Sequence, residues 1–112
     1  MKKQEKQDKQ RILVVDDEKN EREGIKSLIQ RYQYDLKVYE ASNGEEAFEL
    51  LKKVPIDILF TDIKMPFMTG IELIETVYRH GLSPVCIIYS AYDEFEYAQN
   101  AIRLDVVQYL LK

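Results

Sequence analysis

The chain predicts an α/β fold: an open, doubly wound sheet of five parallel strands with helices on its faces. Three observations carry that reading. Five short apolar runs rich in β-branched and aromatic residues recur along the 112 residues. The stretches between them repeat apolar residues at i, i+3, i+4 and i+7, the spacing of one helix face. Turn-forming residues fall at the joins. Strict alternation of near-continuous apolar strands with helices calls for a parallel sheet covered on both sides and joined by right-handed crossovers.

Residues Met1 to Gln10 hold only Lys, Gln, Glu and Asp after the first Met, so they read as a solvated, charged arm. The first strand, Ile12 to Val15, ends in the acidic pair Asp16-Asp17, and a helix follows on Ile25, Leu28, Ile29 and Tyr32. Leu36 to Glu40 is the second strand, and Asn43-Gly44 opens a helix on Ala47, Leu50, Leu51 and Val54. After Pro55 comes the third strand, Ile56 to Thr61, with Asp57 at an outward position and Asp62 at its close. Pro66 and Gly70 lead into a helix on Ile71, Ile74, Val77 and Tyr78, which stops at His80-Gly81. Beyond Pro84 lie the fourth strand, Val85 to Tyr89, a helix on Phe95, Ala98, Ala101 and Ile102, and the fifth strand, Val106 to Leu111.

In such sheets ligands sit outside the carboxyl ends of the strands, where the winding reverses. Asp16, Asp17 and Asp62 all fall at carboxyl ends, so they share one pocket if the first and third strands are neighbours. Two like charges 4 Å apart repel by about 4 kcal/mol at an intermediate dielectric, and a bound divalent cation is the usual relief. Hard oxygen donors with room for water and phosphate describe a Mg²⁺ site. The competing reading of each acid alone is a helix N-cap, and it weakens when both strand ends repeat the pattern.

Composition narrows the field. Lys and Arg number 16 against 20 Asp and Glu, a net charge of −4, which argues against direct nucleic-acid contact by this domain. No apolar run approaches a membrane span and none has the layout of a signal peptide, so a cytoplasmic protein is expected. The single cysteine, Cys86, sits inside the fourth run and reads as a buried hydrophobe. His80, before Gly81, suits a helix end.

The motifs ILVVDDE, ILFTDIKMPFMTG, IIYSAYDEFEYA and the closing VVQYLLK, in this order and spacing, resemble the receiver domain of two-component response regulators. The resemblance covers nearly everything after the arm, a domain of residues 11–112. It implies a flavodoxin-like strand order of 2-1-3-4-5. It also implies that Asp62 accepts a phosphoryl group from a sensor histidine kinase. Asp17, Asp62 and the main-chain carbonyl of Lys64 would ligate Mg²⁺, with Asp16 helping through water. Ser90 would bond a phosphoryl oxygen, Lys112 would neutralise another, and Tyr109 would be the aromatic that changes with the phosphorylated state. The stretch YSAYDEFEYAQNAI is similar to receivers joined to AraC-type DNA-binding domains, which implies a transcriptional output outside this chain.

Receivers usually continue past the lysine with a proline and a further helix, whereas this sequence stops at Lys112. The expectation is a receiver cut short at that end, completed by self-association or by an output domain. Tyr39, Tyr89, Tyr92 and Tyr97 read as an aromatic-rich, partly packed surface. Phosphoryl transfer here would be self-catalysed, with autodephosphorylation, unlike the turnover of a conventional enzyme. A haloacid-dehalogenase-like phosphatase would need Asp-x-Asp on its first strand, and an FMN binder a Gly/Ser/Thr loop. A phosphorylation-independent interaction module of the same fold is the remaining alternative.

Overall fold

The computed structural model describes residues 9–90 and the backbone of a strand at 108–111. Strands β1 (Gln10–Val15), β2 (Leu36–Ala41), β3 (Ile58–Asp62), β4 (Val85–Ser90) and β5 (Gln108–Leu111) form one sheet in the order β2-β1-β3-β4-β5. Every pairing is parallel. Helices α1 (Lys19–Arg31), α2 (Gly44–Lys53) and α3 (Gly70–Arg79) connect the first four strands. The expected helix on Phe95, Ala98, Ala101 and Ile102 lies outside the described residues, as do Tyr92, Tyr97, Val106, Val107 and residues 1–8 of the arm. Gln10 already pairs with Leu36, so the arm expected to reach Gln10 gives way to strand at that residue.

The principal core lies between the sheet and α2 with α3. Leu13 and Val15 of β1, Leu59 of β3, and Cys86 and Ile88 of β4 are buried there against Ala47, Leu51, Ile71, Ile74 and Val77. Alternate residues of a strand leave on opposite faces, so Val14 and Phe60, paired in register, point the other way. Both helices of the core side start on side-chain caps. Asn43 Oδ1 accepts the Glu46 amide at 2.7 Å. Thr69 and Glu72 form a reciprocal capping box, Thr69 Oγ1 accepting the Glu72 amide at 3.1 Å and Glu72 Oε1 the Thr69 amide at 2.9 Å.

Helix α1 departs from expectation. Its apolar stripe is only partly buried: Ile25 and Ile29 are half-buried, no residue of α1 is fully buried, Leu28 is 47% exposed and Tyr32, just past the helix, 61%. Polar bonds add to that partial contact. Arg22 donates from Nη1 to the Asp16 main-chain oxygen at 2.7 Å and from Nε to Glu40 Oε1 at 3.0 Å, while Lys26 reaches Glu40 Oε2 at 2.7 Å. Neither acid of the Asp16-Asp17 pair caps α1. Its N-cap is Glu18, which makes no side-chain cap bond, and Asp16 Oδ1 accepts the Glu18 amide at 2.9 Å in a local turn.

Cys86 is buried and His80 ends a helix, as the sequence suggests. Cys86 is a buried free thiol whose Sγ accepts the Tyr78 hydroxyl at 3.3 Å, and burial pushes the thiol pKa up. His80 follows α3 as its C-cap, with Nδ1 2.9 Å from the Thr76 carbonyl and the ring edge-on to Phe48. Among the described residues no helix is long and apolar enough to cross a membrane.

Candidate functional site

The site forms where β1 and β3 end side by side. Because Val14 pairs with Phe60 and Val15 with Thr61, the residues that continue both strands emerge together. The Asp16 amide extends the ladder to the Ala41 carbonyl at 3.2 Å, and Asp62 is the last residue of β3. One carboxylate oxygen from each of Asp16, Asp17 and Asp62 can be chosen so that all lie within 4.8 Å of one another. Asp16 and Asp62 are buried and Asp17 is exposed, so the cluster is open to solvent on one side.

Three carboxylates at this separation repel strongly, and their donor set is all hard oxygen. That chemistry fits a small divalent cation better than it fits a softer transition metal. Part of the negative charge is met by the protein itself. The Ile63 amide donates to Asp62 Oδ1 at 2.7 Å, and the Tyr89 hydroxyl donates to Asp16 Oδ2 at 2.6 Å.

Tyr89 is a correction to the sequence reading, which put it on a partly packed aromatic surface. It is 3% exposed, it stands opposite Asp62 in the β3–β4 pairing, and its ring lies 4.6 Å from that of Phe60. Burial, reinforced by the bond to the Asp16 carboxylate, pushes the phenol pKa far up, so the hydroxyl keeps its proton and remains a donor. Nothing local in the sequence marks this contact, which joins residues 73 positions apart.

Ser90 is buried at the end of β4, one residue past the Asp62–Tyr89 pair. Lys64 is exposed, two residues beyond Asp62. Tyr109 pairs through its backbone with Ile88 in β5; its side chain, like Lys112, lies outside the described residues. The structure thus brings Asp16, Asp17 and Asp62 together with Ser90 on an adjoining strand end.

The loop after Asp62 is folded tightly back. Gly70 donates its amide to the Ile63 carbonyl at 2.9 Å, and Ile63 and Met65 are buried beneath the turn. At its tip Phe67 is fully exposed and holds φ at +71°, a left-handed conformation unusual for a large side chain.

The model of the response regulator receiver domain matches residues 12–112. The transcriptional regulatory protein HptR of Staphylococcus aureus is 36% identical over 103 residues, covering 91% of this chain and 40% of that protein. An uncharacterized response regulatory protein of Staphylococcus epidermidis matches with the same identity and coverage. The chain therefore spans about two fifths of the length of these curated relatives, 40% in both cases. Among solved structures, the signal receiver domain of the response regulator NarL from Mycobacterium tuberculosis superposes with a TM-score of 0.84 at 30% identity, covering 93% of this chain and 84% of that one. Matched from Ile12 onward in sequence, and along its paired strands in space, the chain belongs to the response regulator receiver domains, the receiving half of two-component signalling.

Proposed function

We propose that Asp62 accepts a phosphoryl group from a phosphohistidine on a sensor histidine kinase and that the phosphorylated domain switches a transcriptional output carried outside this chain. The observation that carries this reading is the convergence of Asp16, Asp17 and Asp62 at the mouth of two adjacent strands. In the transfer the phosphorus–nitrogen bond of the donor breaks, a phosphorus–oxygen bond to the Asp62 carboxylate forms, and the imidazole leaves. The product is an acyl phosphate, reactive enough to be reversed.

Mg²⁺ would be held by Asp17, Asp62 and the Lys64 main-chain carbonyl, with Asp16 acting through water. When bound, the ion supplies positive charge against the carboxylates and the phosphoryl oxygens. The remaining work belongs to the chain's own groups. The Ile63 amide fixes the Asp62 carboxylate at Oδ1, which orients it for in-line attack. Ser90 donates its hydroxyl to a phosphoryl oxygen, Lys112 neutralises another, and Tyr109 repacks as Ser90 moves, a population shift biased by a few new contacts. Similarity to HptR, by name a transcriptional regulatory protein, supports the output, and the motif YSAYDEFEYAQNAI favours one of AraC type.

The test is incubation with acetyl phosphate and MgCl₂, read by intact mass. One added phosphate on the wild-type chain and none on Asp62→Asn supports the reading. Equal labelling of Asp62→Asn overturns the acceptor, and no labelling of the wild type favours a phosphorylation-independent module.

A further inference from the structure

We infer that Tyr89 is a positioning residue: by holding Asp16 it sets the preference of the acidic rim for magnesium over calcium. The inference rests on the magnesium reading above and deepens it. The Tyr89 hydroxyl lies 2.6 Å from Asp16 Oδ2, a short hydrogen bond to a carboxylate, in a buried setting. The other oxygen, Oδ1, accepts the Glu18 amide at 2.9 Å. Donors from two separate elements therefore pin the carboxylate at both oxygens and fix its plane. The ring of Tyr89 is itself braced against Phe60.

Such pinning discriminates between ions. Magnesium demands near-ideal octahedral geometry at ~2.0–2.1 Å and keeps several waters, whereas calcium takes more ligands at ~2.3–2.6 Å and often a bidentate carboxylate. A carboxylate that cannot rotate to offer both oxygens, but can accept from a metal-bound water, suits the smaller ion. Asp17, exposed and adjacent, is left as the acid of the pair that can approach directly. Removing the Tyr89 hydroxyl frees Asp16 to turn, which costs magnesium its fixed geometry and offers calcium an extra oxygen.

The experiment is isothermal titration with MgCl₂ and, separately, CaCl₂ on the wild type, Tyr89→Phe, Asp16→Asn and the double variant. Tyr89→Phe keeps the ring on Phe60, so far-UV circular dichroism should match the wild type. Because Asp16 reaches the ion through water, magnesium affinity should fall by about 5-fold, below the range of about 10- to 100-fold for partners of direct ligands, while calcium affinity falls less than about 2-fold or rises. In the Asp16→Asn background the same change should alter neither affinity by more than about 2-fold, because Tyr89 acts through Asp16.

Equal losses for the two ions, or none, overturn the inference. So does an Asp16→Asn variant that retains the wild-type preference for magnesium, whatever Tyr89→Phe does. If the wild type binds neither ion, the magnesium reading fails first and this inference with it. If Asp17→Asn abolishes binding while Tyr89→Phe shifts both ions alike, the site stands and only the role of Tyr89 falls.

Discussion

Gly70, the first residue of α3, approaches the main-chain carbonyl of Asp62 so closely that a Cβ at position 70 would collide with that oxygen and crowd the Thr61 methyl group. The obstruction is backbone, which cannot rotate out of the way. Gly70→Ala is therefore expected to lower stability by about 1–3 kcal/mol, the usual range for overpacking, as read from urea midpoints. It should also slow acetyl phosphate labelling, because the shift falls on the residue proposed as acceptor. A variant with wild-type midpoint and labelling rate would show that the α3 start yields without moving Asp62.

Glu40 ties the amino-terminal half of the sheet to α1 through Lys26 and Arg22. The Lys26 hydrogen bond, helped by Arg22, holds the Glu40 pKa below the ordinary carboxylate value. A depressed folded-state pKa contributes stability that is present above the unfolded pKa and is lost as pH falls through the folded one. Glu40→Gln should accordingly be less stable than the wild type at neutral pH, and the gap should close in the acid range as Glu40 protonates. Lys26 is shifted up by the same bond, so its share persists through neutral pH and disappears only in strong alkali. Urea midpoints at neutral pH and in acid test this, and a gap that stays constant with pH would contradict it.

Phe67 combines full exposure with a φ of +71°, so its ring covers nothing while its backbone occupies a region that costs a non-glycine residue about 1–2 kcal/mol. Glycine adopts that region freely but loses more chain entropy on folding. Phe67→Gly is expected to raise stability by about 0.5–1 kcal/mol, visible as a higher urea midpoint with an unchanged slope. A loss of stability would mean that the exposed ring contributes packing.

The strands were legible because β-branched and aromatic residues cluster in them and acids punctuate two of their ends. From Asp16, Asp17 and Asp62 the site could be anticipated, since the carboxyl ends of neighbouring parallel strands share one rim. What local pattern could not convey was the docking of α1. Ile25, Leu28, Ile29 and Tyr32 make an apolar stripe, yet none of them is fully buried, and Arg22 and Lys26 fasten the helix to Glu40 on another element. Tyr89 was misjudged for a related reason. An aromatic near other tyrosines reads as surface, and only the pairing of β4 beside β3 turns its hydroxyl toward Asp16. Gly70 read as turn punctuation, whereas its role is to let a helix start touch the Asp62 backbone.

A helix fastened in part by charged groups, with none of its side chains fully sequestered, holds the sheet with less apolar contact than one seated on buried carbon. For α2 and α3, by contrast, departure would strip carbon from carbon. Added salt weakens the first kind of attachment and spares the second. Salt should therefore loosen α1 before α2 or α3, and the link that would carry this to the acidic rim is Arg22, which bonds the main-chain oxygen of Asp16 itself.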